Sequence, residues 1–170
     1  VINPSDLTSK YGTDAFRIGL VVGNTPGTSL ALDENRIRGY KNFANKIWNA
    51  SRFVLLNKPS RIKNLTITDK KILKDLDKLV KEVTKLMDSF KFYRASEKIY
   101  HYFWHTFCDK IIEQHKEKKV SDSALLEVLK INLKLLHPFM PFITEEIYTN
   151  LLPKWPGKKI LMIEQWPSSK

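Results

Sequence analysis

Residues 39–53 read GYKNFANKIWNASRF, and the two faces of the helix formed by this run decide the fold. At 100° per residue, Ile37, Tyr40, Phe43, Ala44, Ile47, Ala50, Ser51 and Val54 gather on one arc, the spacing of a helix that buries one side in a core. The opposite arc carries Arg38, Lys41, Asn42, Asn45, Asn49 and Arg52, with Trp48 at its border. Amides and guanidinium groups bond base edges and phosphates, and an indole can stack on an unpaired base. The same arc also reads as a solvated face with one border Trp that belongs to the core. Pattern alone leaves both readings open.

Composition narrows the setting. A chain of 170 residues with 42% hydrophobic content is long enough to bury a real core and fits one domain. No apolar run reaches the roughly 18 residues a membrane span requires, so no membrane partner is expected. The N-terminus, VINPSDLTSKYGTDAF, does not read as a signal peptide and looks like an internal segment of something longer. A lone cysteine, Cys108, allows no internal disulfide and fits a reducing, cytoplasmic setting. The net charge of +11 and pI near 9.7 point to a polyanionic partner, nucleic acid before membrane.

Helical periodicity extends over most of the chain. Asn3 can cap a short helix with Pro4 at its first position, and Thr13 or Asp14 can start another running to Val22. The run 23–27, GNTPG, breaks the chain, and 28–32 reads as an extended connector. Asp33 caps the long helix that holds the 39–53 run, which Asn57-Lys58-Pro59 ends before a basic loop containing Arg61 and Lys63. Thr68 or Asp69 starts a helix with Ile72, Leu76, Leu79, Val83 and Leu86 inward and six lysines between Lys70 and Lys85 outward. From about Phe92 to His115 the apolar residues go most of the way round, as in a helix buried by neighbours on several sides. Ser121 or Asp122 caps the next helix, which His137-Pro138 stops, and Pro141 opens a last one through Leu152. The tail Lys159–Trp166, KILMIEQW, reads as a short strand or extended segment. The expected fold class is therefore all-α, an up-and-down helical bundle with a short N-terminal segment and a short extended tail.

Several groupings look chemical. His101 and His105 are spaced to share a helical face with Cys108 and Asp109 a turn further on, but no HExxH glutamate and no second ligand cluster accompany them. Glu145-Glu146 suits the dipole of a helix start better than catalysis. Gly19, Gly23 and Gly27 form neither GxGxxG nor a P-loop. No serine or cysteine has a credible base, so no metal, cofactor or autonomous active site is expected in this piece.

The runs KYGTDAFRIGLVVGNTPG, LDENRIRGYKNFANKIWNASRFVL, LKLLHPFMPFITEEIYTNLL and LMIEQWP follow one another in an order and spacing that resemble the valyl-tRNA synthetases, class I aminoacyl-tRNA synthetases. The likeness covers essentially the whole chain and corresponds to the part just after the KMSKS loop. GYKNFANKIWNASRF is specific, whereas YGTDAFR and HPFMPFITEEIY are shared more loosely with isoleucyl and leucyl relatives. Lys41 stands where arginine is common and Tyr148 where tryptophan is common, and His101 and His105 replace less basic residues. The lysine keeps its charge but loses the bidentate fork.

The resemblance implies a stem-contact or connecting segment over 1–32, an anticodon-binding helical domain over 33–152 and an extended tail over 153–170. It implies binding, as a monomer, to the anticodon arm of valine tRNA. Arg38, Lys41 and Arg52 would meet phosphates or bases, Asn42, Asn45 and Asn49 base edges, and Trp48 a splayed base. Trp48 and Arg52 occupy positions resembling the anticodon-contact pair of the related methionyl enzymes. The full-length ligase would activate valine with ATP and Mg, whereas this stretch, lacking HIGH, KMSKS and editing motifs, would bind without adenylating valine. Alternatives are an isoleucyl-type anticodon-binding domain, a free-standing RNA-binding module blind to the anticodon, and a protein-interaction bundle without RNA affinity.

Overall fold

A computed structural model describes residues 3–24, 27, 33–56, 65–151 and 160–168, and the statements below concern these residues. The expected connector at 28–32, the helix end at Asn57-Lys58-Pro59 with its basic loop, and the expected end of the last helix at Leu152 lie outside them. Seven helices are described: α1 (Pro4–Tyr11), α2 (Thr13–Val21), α3 (Glu34–Leu56), α4 (Ile67–Asp88), α5 (92–116), α6 (Asp122–Leu136) and α7 (141–151). No strand occurs among the described residues, and the tail forms a single 3-10 turn, Leu161–Ile163, where a short strand or extended segment was expected. The backbone at Ile160 and Glu164 on either side is extended, so the expectation fails only over those three residues.

The local signals act largely as read. Asn3 accepts from the Ser5 N–H at 3.0 Å with Pro4 in the first turn. Asp33 accepts from the Asn35 N–H at 2.9 Å, and Ser121 from the Ala124 N–H at 3.2 Å. Gly12 separates α1 from α2 at φ 90°, a conformation that a side chain would strain. α2 starts at Thr13, one of the two starts expected, while the start of α4 differs from expectation. α4 is capped by Thr66, not Thr68 or Asp69: the Thr66 hydroxyl accepts from the Asp69 N–H at 3.0 Å and the Asp69 carboxylate accepts from the Thr66 N–H at 2.9 Å. This reciprocal pair satisfies two helix-end donors at once. Asp14 does not cap its own helix either. Its carboxylate accepts from the N–H groups of Phe142 at 3.2 Å and Ile143 at 2.7 Å, closing the start of α7.

α3 and α5 run parallel, as the first and third members of an up-and-down bundle should. Tyr40 meets Tyr100 edge-on at 6.0 Å, Lys46 pairs with Asp109 at 3.0 Å, and Phe53 meets His115 at 5.9 Å. Between these, Phe43 is fully buried among Tyr100, Phe103 and Trp104, with ring centroids 4.6, 5.7 and 6.0 Å away. All of the predicted α3 stripe is buried except Ala44, which is half-buried. α5 winds as an α-helix over Phe92–His101, widens to π turns over Tyr102–Ile111 and closes with Ile112–Lys116. α6 carries the densest core, with Ala124, Leu125, Val128, Leu129, Leu133, Leu135 and Leu136 wholly inside. α1 and α2 pack on α3, and α2 also reaches α5 and α7.

Two buried aspartates respond to pH with opposite sign. Burial pushes the Asp69 carboxyl up, but hydrogen bonds from Ser121, whose N–H lies 3.0 Å away, and from Thr66 outweigh it and hold the group below its ordinary value. The stability it supplies is present above the ordinary carboxylate range and is lost as pH falls through the depressed native value. At Asp14 burial dominates over the Ile143 and Phe142 amides and Arg17, and the native value is raised. Its contribution therefore declines as pH rises from the ordinary value through the raised one. Asp69→Ala is expected to cost about 2–3 kcal/mol at neutral pH, through a lost cap and an unsatisfied amide, and to flatten the acid limb of a urea-denaturation series. Phe43→Ala is expected to cost about 3–5 kcal/mol, read as a fall in Tm.

Candidate nucleic-acid interface

Burial of Phe43, Ile47 and Val54 turns the other side of α3 to solvent. Arg38, Asn42, Asn45, Asn49 and Arg52 recur every three or four residues and form one exposed stripe. From the helical rise of 1.5 Å per residue it is about 21 Å long. Among the described residues, the side chains of Asn42, Asn45, Asn49 and Arg52 make no hydrogen bond or ion pair. All four side chains are exposed. Arg38 donates to the Asn35 Oδ1 one turn back at 3.0 Å, an exposed bond that a phosphate could replace.

Trp48 and Lys41 are less free. Trp48 is half-buried, with part of its indole packed on the core and the rest at the edge of the stripe, one turn before Arg52. Lys41 reaches to α1, where its Nζ donates to the Lys10 carbonyl at 3.2 Å and sits 6.0 Å from the Tyr11 ring centroid. A cation at the carbonyl end of a helix is favourably placed, so Lys41 fastens α1 to α3. The stripe is thus six of the seven predicted side chains, with Lys41 drawn off to one side.

The geometry adds groups the sequence reading did not select. Directly after Arg52, the half-buried ring of Phe53 has the Lys116 Nζ 5.6 Å from its centroid. Beyond it lies a depression of about 600 Å³ lined by Phe53, His115, Lys116, Lys118, Val120, Ser121 and Asp122. His115 is held by Asp122, Nε2 to Oδ1 2.6 Å. Phe53 follows the motif's own Arg52, so its place beside the stripe was available from the helix, but Lys116 and Lys118 come from another helix end. At the α3–α5 seam, Lys46 pairs with Asp109 and lies 4.2 Å from the Trp104 ring centroid, an arrangement no sequence spacing announces.

The remaining chemical groupings have structural occupations. His101 and His105 stack at 5.7 Å, and His105 Nδ1 lies 3.2 Å from Asp109. Among the described residues no three His, Cys, Asp or Glu side chains gather in a way that could hold a metal ion. Burial pushes the Cys108 thiol up to about 12, which makes it a poor nucleophile. Glu145 accepts from the N–H groups of Leu161 at 2.9 Å and Met162 at 3.2 Å and from the Thr149 hydroxyl, and it starts the 3-10 turn. Burial raises its carboxyl, but these bonds prevail and its value is lowered. On α4, Lys78 and Lys81 pair with Asp75 and Asp77 on the same helix, exposed pairs of small energetic weight. No helix among the described residues is long and apolar enough to cross a membrane.

Comparison with known proteins gives this surface a context. The chain is 40% identical to the valine–tRNA ligase of Clostridium tetani over 99% of its own length and 21% of that protein. It is likewise 40% identical to the valine–tRNA ligase of Thermotoga maritima over 96% of its length and 21% of the relative. The chain therefore spans about a fifth of the length of the curated relatives it matches. Its fold superposes, with a TM-score of 0.79 and 22% identity, on the LeuRS of Agrobacterium radiobacter K84 agnB2, solved in a ternary complex with tRNA and LeuAMS. That match covers 99% of this chain and 21% of the LeuRS chain. A family model described as the anticodon-binding domain of tRNA ligase matches residues 69–170, which begins after α3 and its stripe. With more than half of its length matched in this way, the chain belongs to the family of tRNA ligase anticodon-binding domains.

Proposed function

We propose that this chain is the anticodon-binding region of a valine–tRNA ligase and that it holds the anticodon arm of valine tRNA against the outer arc of α3. The observation that carries the reading is the exposed stripe of amides and guanidinium groups on α3, bordered by Trp48, in a chain about 40% identical to valine–tRNA ligases along nearly its whole length. Asn42, Asn45 and Asn49 bond base edges, because each amide offers a donor and an acceptor side by side. Arg38 and Arg52 meet phosphates or bases, and the exposed edge of Trp48 supports an unpaired base, with Phe53 and Lys116 extending that support beyond Arg52. Lys41, turned toward Lys10, contributes charge to the flank rather than a base contact. Residues 33–152 form the binding domain, 1–32 a connecting segment toward the tRNA stem, and 153–170 a C-terminal tail.

In this reading the parent enzyme works in the cytoplasm as a monomer. Valine activation with ATP and Mg belongs to parts of the ligase outside this chain. What these residues supply is affinity and discrimination at a distance from the chemistry, so a change on α3 acts through tRNA binding alone.

Valine tRNA is expected to bind the chain more tightly than a transcript altered in the middle and last anticodon bases, measured by fluorescence anisotropy at fixed salt. Arg52→Ala should bring the two affinities together, and Trp48→Ala should weaken binding by about 1–3 kcal/mol if the indole stacks. Equal binding of both transcripts by the unsubstituted chain would favour an RNA module blind to the anticodon. Absence of salt-dependent RNA binding would favour a protein-interaction bundle. The chain alone should show no valine-dependent ATP–pyrophosphate exchange.

A further inference from the structure

The turn between α4 and α5 presents aromatic rings to solvent in a way the fold does not require. α4 ends in a hydrogen-bonded closure in which the Lys91 N–H bonds the Leu86 carbonyl at 2.9 Å and the Phe90 N–H bonds the Met87 carbonyl at 3.0 Å. This closure needs a left-handed residue at its apex, a place usually taken by glycine. Here it is Phe90, at φ 57°. A bulky L side chain is disfavoured in that conformation. Burial of the ring does not offset the strain, since Phe90 is 76% exposed. Its neighbour is Phe92, 41% exposed, with the two rings edge to face at 5.9 Å.

The same turn is cationic. Lys85, Lys91 and Arg94 line the mouth of a groove of about 980 Å³ between α4 and α5, and among the described residues none of the three has an ion-pair partner. The groove's other two cations, Lys78 and Lys98, are paired with Asp75 and Glu82, leaving Glu97 as its one carboxylate without a partner. Exposed rings interleaved with free cations make a platform for unpaired nucleotides, where bases stack on the rings while cations follow the backbone. A site built for a protein segment would instead be depleted of charge at its centre.

We propose that the α4–α5 turn is a second RNA-binding element, separate from the α3 stripe, in which Phe90 and Phe92 stack on unpaired bases and Lys85, Lys91 and Arg94 bind the adjoining phosphates. The proposal rests on the tRNA reading above and adds a contact that is indifferent to the anticodon. Because α3 and α5 run parallel, the turn lies at the end of the bundle where α3 begins.

The test compares valine tRNA and the anticodon-altered transcript on the 170-residue chain and on four variants, with Tm measured for each. Phe90→Gly relieves the left-handed strain, so its Tm should be unchanged or higher, yet both transcripts should bind about fivefold or more weakly, by the same factor. Phe90→Tyr should restore affinity. Lys91→Ala combined with Arg94→Ala should make the slope of log affinity against log salt about 1.4 shallower. Arg52→Ala, by contrast, changes the ratio between the transcripts. Unaltered RNA binding in Phe90→Gly, with the ratio still sensitive to Arg52, overturns the proposal and leaves the α3 reading standing, with the turn then a protein contact. If the unsubstituted chain binds neither transcript, both readings fall.

Discussion

Everything outward on this molecule depends on the seating of Phe43 among Tyr100, Phe103 and Trp104. A helix can turn about its axis at little cost until something indexes it, and this ring does so. A rotation of α3 by one residue, about 100°, would carry the amides inward, where each would need a partner it does not have. The aromatic seam excludes that alternative, so the character of the exposed stripe follows from the packing on the opposite side. Lys46, tied to Asp109 and lying over Trp104, closes the edge of the seam against water.

A second constraint comes from carboxylates that finish helices other than their own. Asp69 belongs to α4 and completes its cap with Thr66, yet it also takes the Ser121 N–H at the entry to α6. Asp14 belongs to α2 and closes the start of α7, whose Pro141 supplies no amide hydrogen. Glu145 does the same for the 3-10 turn in the tail. Each sits in the positive field of a helix start and replaces water there. These bonds, more than loop length, decide where the short helices lie against the long ones.

Patterns with a short reach were legible in the sequence. The buried stripe of α3, the caps at Asn3, Asp33 and Ser121, the encircled apolar character of α5 and the stops around Pro138 follow from spacing within a turn or two. What escaped was set by partners far along the chain. Asp14 looks like a helix-starting residue because the two amides it serves lie 128 and 129 positions away. Lys41 looks like a phosphate ligand because nothing in its own helix reveals that the end of α1 is within reach. The tail looked like a strand because its apolar residues are consecutive, whereas Glu145 gathers two of its amides into a turn. Phe90 gave no signal at all, since the left-handed apex of a helix end is read from glycine and none is there.

The bond from Asp14 to the opening of α7 has a consequence for how the molecule comes apart. It joins residues near the first helix to residues near the last, so these distant parts of the chain stay together only while both helices keep their places. α2 cannot fray as an independent arm while α7 keeps its place, and α7 cannot peel away without exposing the Asp14 carboxylate's unmet bonds. Partial opening from either terminus is thereby discouraged. A segment cut to begin at residue 69, where the family match begins, would lack α3 along with this closure.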